Sequence, residues 1–267
     1  MIIKNLYRKF LSKKIREKIY LFRLLLKDHT FFIVKKNSYN EDALATNVIT
    51  DFLENKKFLS NYQKAAQGTN IKIRYRAYIV NYFAEYALNL FKKKRGCFIE
   101  LGVHKAILSK FIVLNNKFKK NLIFYLFDTY KGIPMKDLIE KNKTHIRFLN
   151  KNVYSIDTFD FVKKKFKKFP FVKLVRGNLP DSLNNKNIDL KNIQFLHIDL
   201  NNAYPEIESI KILYKNILPG APVILDDYCF SKSYITQKNC WDKFAKEKKF
   251  KILSLPTGQG IFFKNKD

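Results

Sequence analysis

The chain has 267 residues, of which 46% are hydrophobic, and its 52 Lys and Arg against 23 Asp and Glu give a formal net charge of +29. This length is sufficient for one large or two small domains with a buried core. No apolar stretch approaches the roughly 20 residues needed to cross a bilayer, and three cysteines without a CxxC pair argue against a disulfide framework or a zinc site.

The positive charge has two explanations. It can serve an anionic partner, such as nucleic acid, an acidic membrane surface or a phosphorylated substrate. It can also reflect codon bias, since the chain is equally rich in the Phe, Ile, Asn and Tyr of A/T-rich codons. We favour codon bias because the basic residues are spread along the whole chain. The N-terminus does not resemble a signal peptide, so we expect a cytoplasmic protein.

The first 28 residues predict a basic amphipathic helix. Its apolar residues recur at helical spacing, namely Ile3, Leu6, Tyr7, Phe10, Leu11, Ile15 and Ile19. Such a helix can lie on an anionic membrane, which would place the protein peripherally at the inner membrane surface. The commoner alternatives are packing on its own domain or on a second subunit of a homo-oligomer. Residues 41–91 predict further helices, and we assign residues 1–75 to an N-terminal helical extension.

The pattern changes after Gly96. The short apolar runs CFIEL, LIFYLF, FVKLV, IQFLHI and APVIL are separated mostly by helical segments. This alternation predicts an α/β fold, with a Rossmann-like, doubly wound and mostly parallel sheet, in a domain of residues 76–267. The final segments KILSL, PTGQG and IFFK predict a C-terminal antiparallel hairpin.

Three successive predicted strands end on groups that suit a nucleoside. The first runs into Glu100 and Gly102, the second ends on Asp128, and the third is followed by Gly177 and Asn178. Each has a structural alternative, such as an ordinary strand-to-helix turn or an aspartate cap, but the combination favours a nucleoside ligand. There is no GxxxxGK[ST] motif for a triphosphate. A carboxylate suits an amine-bearing ligand, and S-adenosylmethionine fits.

Three aspartates follow the fourth and fifth predicted strands. In a sheet ordered 3-2-1-4-5, Asp199, Asp226 and Asp227 would meet at the carboxyl edge beside the nucleoside site. Because close carboxylates repel one another, either one is protonated or a cation joins them. Oxygen ligands suit Mg²⁺ or another hard divalent cation. The alternative is structural: Asp227 caps a turn and Asp199 binds backbone amides.

From about residue 75 onwards the chain resembles the macrocin O-methyltransferase family. The ordered motifs are Glu100-Leu-Gly-Val, Asp128-Thr-Tyr-Lys-Gly-Ile-Pro, Gly177-Asn-Leu-Pro-Asp-Ser-Leu, His197-Ile-Asp, Leu225-Asp-Asp-Tyr and Gly258-Gln-Gly-Ile. The resemblance implies a class I, S-adenosylmethionine-dependent enzyme that methylates a sugar hydroxyl with a divalent metal. The chain departs from the family at His104-Lys105 and Ala106, and Asp199-Leu-Asn-Asn-Ala-Tyr replaces Asp-Gly-Asp-x-Tyr.

The resemblance assigns roles to individual residues. Asp199, Asp226 and Asp227 would hold the metal, and Asp199 would also take part in catalysis. His145 is our candidate general base, since it falls in the polar segment where the family carries a lid and a catalytic histidine. The alternative is that His145 is a solvent-exposed residue of the lid. The residues expected at the cofactor are Glu100, Gly102, His104, Lys105, Asp128, Tyr130 and Asn178.

The expected acceptor is a small sugar, a nucleotide-sugar or a glycoside, and no nucleic-acid partner is expected. Two alternatives stay open. The first is a methyltransferase that acts on RNA or another anionic acceptor, although the sequence has neither an appended RNA-binding motif nor the N/D-P-P-Y/F signature of base methylation. The second is a non-catalytic scaffold at a membrane surface, which the intact aspartates argue against.

Overall fold

The computed structural model describes residues 39–135 and 140–266, apart from the side chains of residues 140–142, 144 and 145. The predicted N-terminal amphipathic helix lies outside these residues. The chain divides into two compact units, residues 1–39 with 45–49 and residues 40–44 with 50–267. The boundary expected between residues 75 and 76 stays a prediction.

Two short strands precede the first described helix. Strands β1 (Tyr39–Glu41) and β2 (Leu44–Thr46) form a separate two-stranded sheet. Asp42 and Ala43 between them have φ values of 53° and 60°, the left-handed backbone that two-residue hairpin turns require. The prediction that helices begin near residue 41 was therefore wrong over this stretch, because the strands are too short to show a period in the sequence.

Helices α1 (Lys56–Ala66) and α2 (Arg74–Leu90) confirm the rest of that prediction. The remaining elements, all in the larger unit, alternate as expected. They are β3 (Gly96–Leu101), α3 (Ile107–Asn115), β4 (Leu122–Asp128), α4 (Glu140–Asn152), α5 (Phe159–Phe166), β5 (Val172–Arg176), β6 (Ile193–Ile198), α6 (Ala203–Leu213), β7 (Pro222–Leu225), α7 (Ile235–Glu247), β8 (Leu253–Ser254) and β9 (Gly260–Phe263).

The large sheet has the order β5-β4-β3-β6-β7-β9-β8. Its first five strands are parallel, whereas β9 runs antiparallel to both β7 and β8. The predicted 3-2-1-4-5 order and the C-terminal hairpin are both confirmed. The central strands β3 and β6 are almost entirely buried, which explains why their sequences read as continuous apolar runs. The carboxyl ends of β3, β4, β5 and β6 lie along one edge, where the strand order reverses.

Two helices before the first large-sheet strand contribute to this unit. Helix α1 packs on α3 through aromatic rings, with the Phe58 and Phe111 centroids 4.8 Å apart. Helix α2 packs against α3, β6 and β7, so its first turn reaches the same sheet edge as the strand-end aspartates. No helix within the described residues is both long and apolar enough to cross a bilayer.

Candidate active site

A cleft opens at the carboxyl edge of the sheet. Its walls come from the segments that follow β3, β4, β5 and β6, together with the connection between α4 and α5. Polar groups such as Asn178 and Asp199 share the wall with Val103, Ile133 and Leu179. A position at the reversal of strand order is where doubly wound sheets bind nucleosides. Apolar walls with a few polar groups suit a flat heterocyclic ring.

Gly102 allows the loop after β3 to pass close to the end of β6. Its φ is 85°, and a Cβ at this position would lie 1.7 Å from the carbonyl oxygen of Asp199. The same strand ends are joined by the backbone, since the amide of Asp199 donates to the carbonyl of Leu101 at 2.7 Å. Gly102 is therefore required by the approach of two strand ends, in addition to lining the cleft.

Asp128 ties two of the cleft loops together. Its Oδ2 accepts hydrogen bonds from the backbone amides of Val103 at 2.6 Å and His104 at 2.7 Å. Its Oδ1 accepts from the backbone amide of Tyr130 at 2.7 Å and from the hydroxyl of Thr129 at 3.3 Å. The carboxylate that we expected at a ribose thus faces the cleft with both oxygens already engaged, and ribose binding by Asp128 stays a prediction.

His104 and Tyr130 line the cleft in different ways. The His104 ring meets the ring of Tyr154 edge to face, with centroids 4.8 Å apart, and burial lowers the pKa of His104 to about 4. The Tyr130 hydroxyl donates to the carbonyl oxygen of Leu126 at 2.9 Å, so its side chain points into the core. Burial raises the pKa of this phenol far above the ordinary value. Tyr130 can thus contact a ligand in the cleft through its backbone but not through its hydroxyl group.

Glu100 and His197 form a buried pair beneath the cleft. His197 Nδ1 lies 3.1 Å from Glu100 Oε1, and its Nε2 lies 3.3 Å from Asp226 Oδ1. Burial alone would lower the pKa of His197, but the hydrogen bonds to Asp226 and Glu100 raise it to about 10. Within the described residues Glu100 Oε2 is buried without a hydrogen-bond partner. One oxygen of the Glu100 carboxylate therefore has no described donor to balance its burial.

Arg76 compensates the strand-end aspartates, and our sequence analysis missed it. Its Nη1 donates to Asp226 Oδ2 at 2.6 Å and lies 3.7 Å from Asp227 Oδ1, while its Nε donates to Asp42. The residue is 3% exposed, and its guanidinium lies 4.6 Å from the centroid of the Phe230 ring. No motif marks Arg76, since it is one of two arginines at the start of the helical segment RYRAYIVNYFAEY.

The three aspartates differ in their electrostatic surroundings. Burial opposes ionisation of Asp226, but Arg76 and His197 outweigh it and hold its pKa below the ordinary value. Burial and the charge of Asp226 raise the pKa of Asp227 to about 8. Burial and the charges of Asp226 and Asp227 raise the pKa of Asp199 well above its usual range. Asp226 is thus a compensated anion, whereas Asp199 and Asp227 lack sufficient positive charge.

Asn201 holds Asp199 and connects it to two tyrosines. Its Nδ2 donates to Asp199 Oδ1 at 3.2 Å and to the Tyr154 hydroxyl at 3.4 Å, and its Oδ1 accepts from the Tyr234 hydroxyl at 2.7 Å. The backbone of Asn201 is left-handed, with a φ of 56°, which asparagine tolerates better than most residues. The departure from the family's second acid could have pointed to this residue.

The structure therefore gathers most of the predicted site residues but not all of them. Gly102, His104, Asp128, Tyr130, Asn178 and Asp199 line the cleft, whereas Glu100 and Lys105 are not among its lining residues. Asp226 and Asp227 lie at the same sheet edge and outside the cleft wall. His145 lies on α4, but its side chain is outside the described part of the structure.

A metal site made of three side chains is not found in the described ranges. Among residues 39–135 and 140–266, no three His, Cys, Asp or Glu side chains are grouped in a way that could hold a metal ion. Both oxygens of Asp226 already accept protein donors, Arg76 on Oδ2 and His197 with Gln259 on Oδ1. Asp226 therefore has little capacity left for a cation, and metal binding by Asp199, Asp226 and Asp227 stays a prediction.

Solved structures share this fold. The O-methyltransferase NovP aligns with a TM-score of 0.60 at 15% identity, over 78% of this chain and 88% of NovP. The calicheamicin methyltransferase CalS11 aligns with a TM-score of 0.53 at 14% identity, over 80% of this chain and 94% of CalS11. The methyltransferase PaMTH1 of Podospora anserina, bound to S-adenosylhomocysteine, aligns with a TM-score of 0.53 at 11% identity. The alignment covers 79% of this chain and 88% of PaMTH1. At these identities the likeness establishes the fold.

The sequence also matches a family model. No curated protein matches the chain. The model described as Macrocin-O-methyltransferase (TylF) matches residues 89–257, from the end of α2 to the turn of the C-terminal hairpin. This range contains the whole cleft, the buried Glu100–His197 pair and the three aspartates, and it spans more than half of the chain. The chain belongs to the macrocin O-methyltransferase family and is an S-adenosylmethionine-dependent O-methyltransferase.

Proposed function

We propose that this enzyme methylates a hydroxyl group of a sugar or glycoside, with S-adenosylmethionine as the methyl donor and a divalent cation at the acceptor. The observation that carries the proposal is the position of Asp199, which lines the cleft where the strand order reverses. This arrangement places Asp199, beside which the acceptor substrate would bind, next to a site with the chemistry of a nucleoside pocket. NovP is described as an O-methyltransferase and CalS11 as a calicheamicin methyltransferase. These descriptions support an acceptor of the natural-product class.

The residues of the cleft fit S-adenosylmethionine, which supplies a methyl group on a positively charged sulfur. Glu100 lies beneath the cleft, where its buried Oε2 has no described hydrogen-bond partner, and a carboxylate at this place suits the amino group of the methionine portion. Asn178 can donate to and accept from an adenine edge, and the apolar side chains of Ile133 and Leu179 can cover its faces. Asp128 contributes by holding the loops after β3 and β4 at a fixed separation.

Asp199 and Asp227 would hold the cation, and Mg²⁺ is the expected metal because it prefers oxygen ligands and retains water. When bound, such an ion lowers the pKa of a hydroxyl that it contacts. Asn201 fixes the Asp199 carboxylate by donating to its Oδ1. His145 is proposed to accept the proton of the acceptor hydroxyl. The general base must approach this hydroxyl to within hydrogen-bonding distance.

Formation of S-adenosylhomocysteine tests the proposal. The purified chain is incubated with S-adenosylmethionine, MgCl₂ and a panel of glycosides and nucleotide-sugars, and product is measured by mass spectrometry. We expect at least one sugar to be methylated on oxygen, with loss of turnover in excess EDTA. The variant Asp199→Asn should lose turnover but retain binding of S-adenosylhomocysteine by calorimetry. Methylation that requires no acceptor hydroxyl, or undiminished turnover in EDTA, would contradict the proposal.

The role of His145 needs a separate measurement. The variant His145→Gln should lower the turnover number at saturating acceptor and leave the affinity for S-adenosylhomocysteine unchanged. A matched change on the same helix, Phe148→Ala, removes an exposed side chain and serves as the control. Equal turnover by His145→Gln and the wild type would assign the proton transfer to another group.

A further inference from the structure

We propose that the outer side of α2, together with the adjoining end of β9, docks on the surface of an anionic lipid bilayer. This surface, the α2 patch, consists of Tyr82, Tyr86, Leu90 and Phe263. The inference does not depend on the proposed methylation of a sugar hydroxyl, because none of these four residues lines the cleft.

The α2 patch is a continuous group of exposed apolar side chains. Tyr82, Tyr86 and Leu90 recur every four residues, so they lie in a row along one side of the helix. The Phe263 ring lies beside this row, with its centroid 5.7 Å from that of Tyr86 and 5.8 Å from that of Phe83. The exposed fractions are 56% for Tyr82, 40% for Tyr86, 48% for Leu90 and 41% for Phe263. Contiguous exposed apolar groups of this kind mark interaction sites.

Packing within the larger unit does not require these bulky side chains. The side of α2 that faces the sheet is occupied by small residues, among them Ala77, Ala84 and Ala87, all of which are fully buried. A helix with apolar residues on both sides is expected to be covered on both sides. The outer side of α2 therefore has the composition of a surface that meets an apolar partner.

Basic residues continue from the end of the patch. Residues 92–95 are Lys-Lys-Lys-Arg, they begin two positions after Leu90, and all four are exposed. Exposed Lys119 joins this basic run, because its ammonium donates to the main-chain oxygen of Lys92. Glu85 is the only acidic residue in the sequence of α2. Aromatic rings that enter the headgroup region, beside lysines that meet anionic lipids, are typical of peripheral membrane contacts.

The same charges disfavour a second copy of the chain as the occupant. Two α2 patches in contact would bring both basic runs to one interface, with only the two Glu85 carboxylates of α2 to offset them, and like charges repel. Single-stranded nucleic acid is disfavoured by the rings, because bases stack on open ring faces. Here Phe83 and Tyr86 meet Phe263 at interplanar angles of 65° and 73°, edge to face.

The orientation of α2 leaves the cleft accessible on a membrane. Arg76 in its first turn contacts Asp226 at the carboxyl edge of the sheet, whereas Leu90 ends the helix. These two residues are about 20 Å apart along the helix axis. An enzyme held through the end of α2 and the basic run would thus keep its cleft away from the lipid surface.

Sedimentation with vesicles tests the proposal on the full chain. Vesicles of phosphatidylcholine alone are compared with vesicles in which about 30% of the lipid is phosphatidylglycerol, and we expect strong binding to the anionic vesicles only. Combined Lys92→Gln, Lys93→Gln and Lys94→Gln changes should weaken this binding about 100-fold, since each basic residue at an anionic surface contributes about fivefold. Combined Tyr82→Gln, Tyr86→Gln and Leu90→Gln changes should weaken it at least about tenfold, through lost apolar burial.

Matched variants separate the patch from the general positive charge and from the predicted N-terminal helix. One control combines Lys163→Gln, Lys164→Gln and Lys167→Gln, which removes three exposed lysines on and just after α5. The other is Phe148→Gln, which removes an exposed ring on α4. Each control should change vesicle binding by less than about threefold, because charges distant from the bilayer are screened. Melting temperature and binding of S-adenosylhomocysteine should match the wild type in every variant.

Three results would overturn the inference. They are equal binding to the two kinds of vesicle, patch variants that bind anionic vesicles as tightly as the wild type, and a dimer in light scattering that the variant of Tyr82, Tyr86 and Leu90 converts to a monomer. The second result would assign membrane binding to another segment, and the third would assign the patch to a second copy. Should the variant of Tyr82, Tyr86 and Leu90 fail to fold, the comparison of the two lysine variants decides the matter.

Discussion

At the scale of single residues, the cleft depends on backbone conformations that few side chains allow. Gly102, His104, Ala106 and Asn201 all have positive φ values, and all lie in the segments that follow β3 or β6. Left-handed backbone in residues other than glycine costs of order 1–3 kcal/mol and persists where the surroundings hold it in place. Here the holding groups are Asp128, which binds two amides of the loop, and Thr158, whose hydroxyl donates to the His104 carbonyl.

We expect Gly102→Ala to destabilise the protein and to weaken binding of S-adenosylhomocysteine. The positive φ alone accounts for roughly 1–3 kcal/mol, and the overlap of the new Cβ with the Asp199 carbonyl adds to this. Gly220→Ala is a matched control, since Gly220 has nearly the same φ but a Cβ there meets only the end of the Leu90 side chain at 3.3 Å. Urea unfolding of both variants measures the difference. Equal stability losses would show that the close strand approach is unimportant.

His104 should make stability depend on acid pH. Burial lowers its pKa to about 4 from an unfolded value of 6.5, so the unfolded chain binds a proton first as the pH falls. The stabilising contribution is complete above pH 6.5 and is lost as the pH falls towards 4, by up to roughly 3 kcal/mol. His104→Asn, which tolerates the positive φ, should show a smaller decrease in the free energy of unfolding between pH 6.5 and 4. Parallel curves for variant and wild type would exclude this role.

At the scale of elements, the helices before β3 are part of the structure that forms the site. Helix α2 supplies Arg76 to the sheet edge, and α1 packs on α3, which begins just after the cofactor loop. The C-terminal hairpin contributes in the same way, because Gln259 immediately before β9 donates to Asp226. The surroundings of Asp226 are thus assembled from both ends of the larger unit.

The packing of α1 on α3 should contribute substantially to stability. Phe58 is buried between Phe52 and Phe111, with ring centroids 5.0 and 4.8 Å away. We expect Phe58→Ala to lower the free energy of unfolding by roughly 3–5 kcal/mol. Phe148→Ala on α4 removes a ring that is 61% exposed, and it should change stability by less than about 0.5 kcal/mol. Similar effects of the two variants, measured by thermal or urea unfolding, would contradict the packing argument.

At the scale of the whole molecule, the net charge of +29 contrasts with a site organised around carboxylates. Glu100 and Asp226 are paired with two buried cations, Arg76 and His197, and not with the abundant lysines. The electrostatics of the site are therefore local.

We expect the rate of methyl transfer to a sugar to be almost independent of salt. Between 50 and 200 mM KCl the value of kcat/KM should change by less than about twofold, since exposed charges are screened while the buried pairs are not. An RNA acceptor held by 6–10 phosphate contacts would lose roughly 10³–10⁵ in affinity over the same range. Rates measured at the two salt concentrations distinguish the acceptors. A steep decrease would favour the anionic alternative.

Much of the fold and part of the site followed from the sequence alone. Strand order, the C-terminal hairpin and the meeting of Asp199, Asp226 and Asp227 were predictable, because parallel strands place their carboxyl ends at one edge. The loop after β3 was recognised for the same reason, since Gly102 directly follows one buried strand and Asp128 ends the next, and its part in cofactor binding stays a prediction. These are local signals combined with one rule of sheet topology.

The tertiary structure decided which group compensates which charge. Arg76 and Asp226 are 150 residues apart, and their pairing depends on how α2 lies across β6 and β7. The carboxylate of Asp128 likewise accepts hydrogen bonds from the amides of a neighbouring loop, and Glu100 pairs with His197 across adjacent strands. Each contact is set by the packing of distant elements, and desolvation makes each one strong. The sequence alone determined where the carboxylates gather, and the packing determined which of them are paired with protein cations.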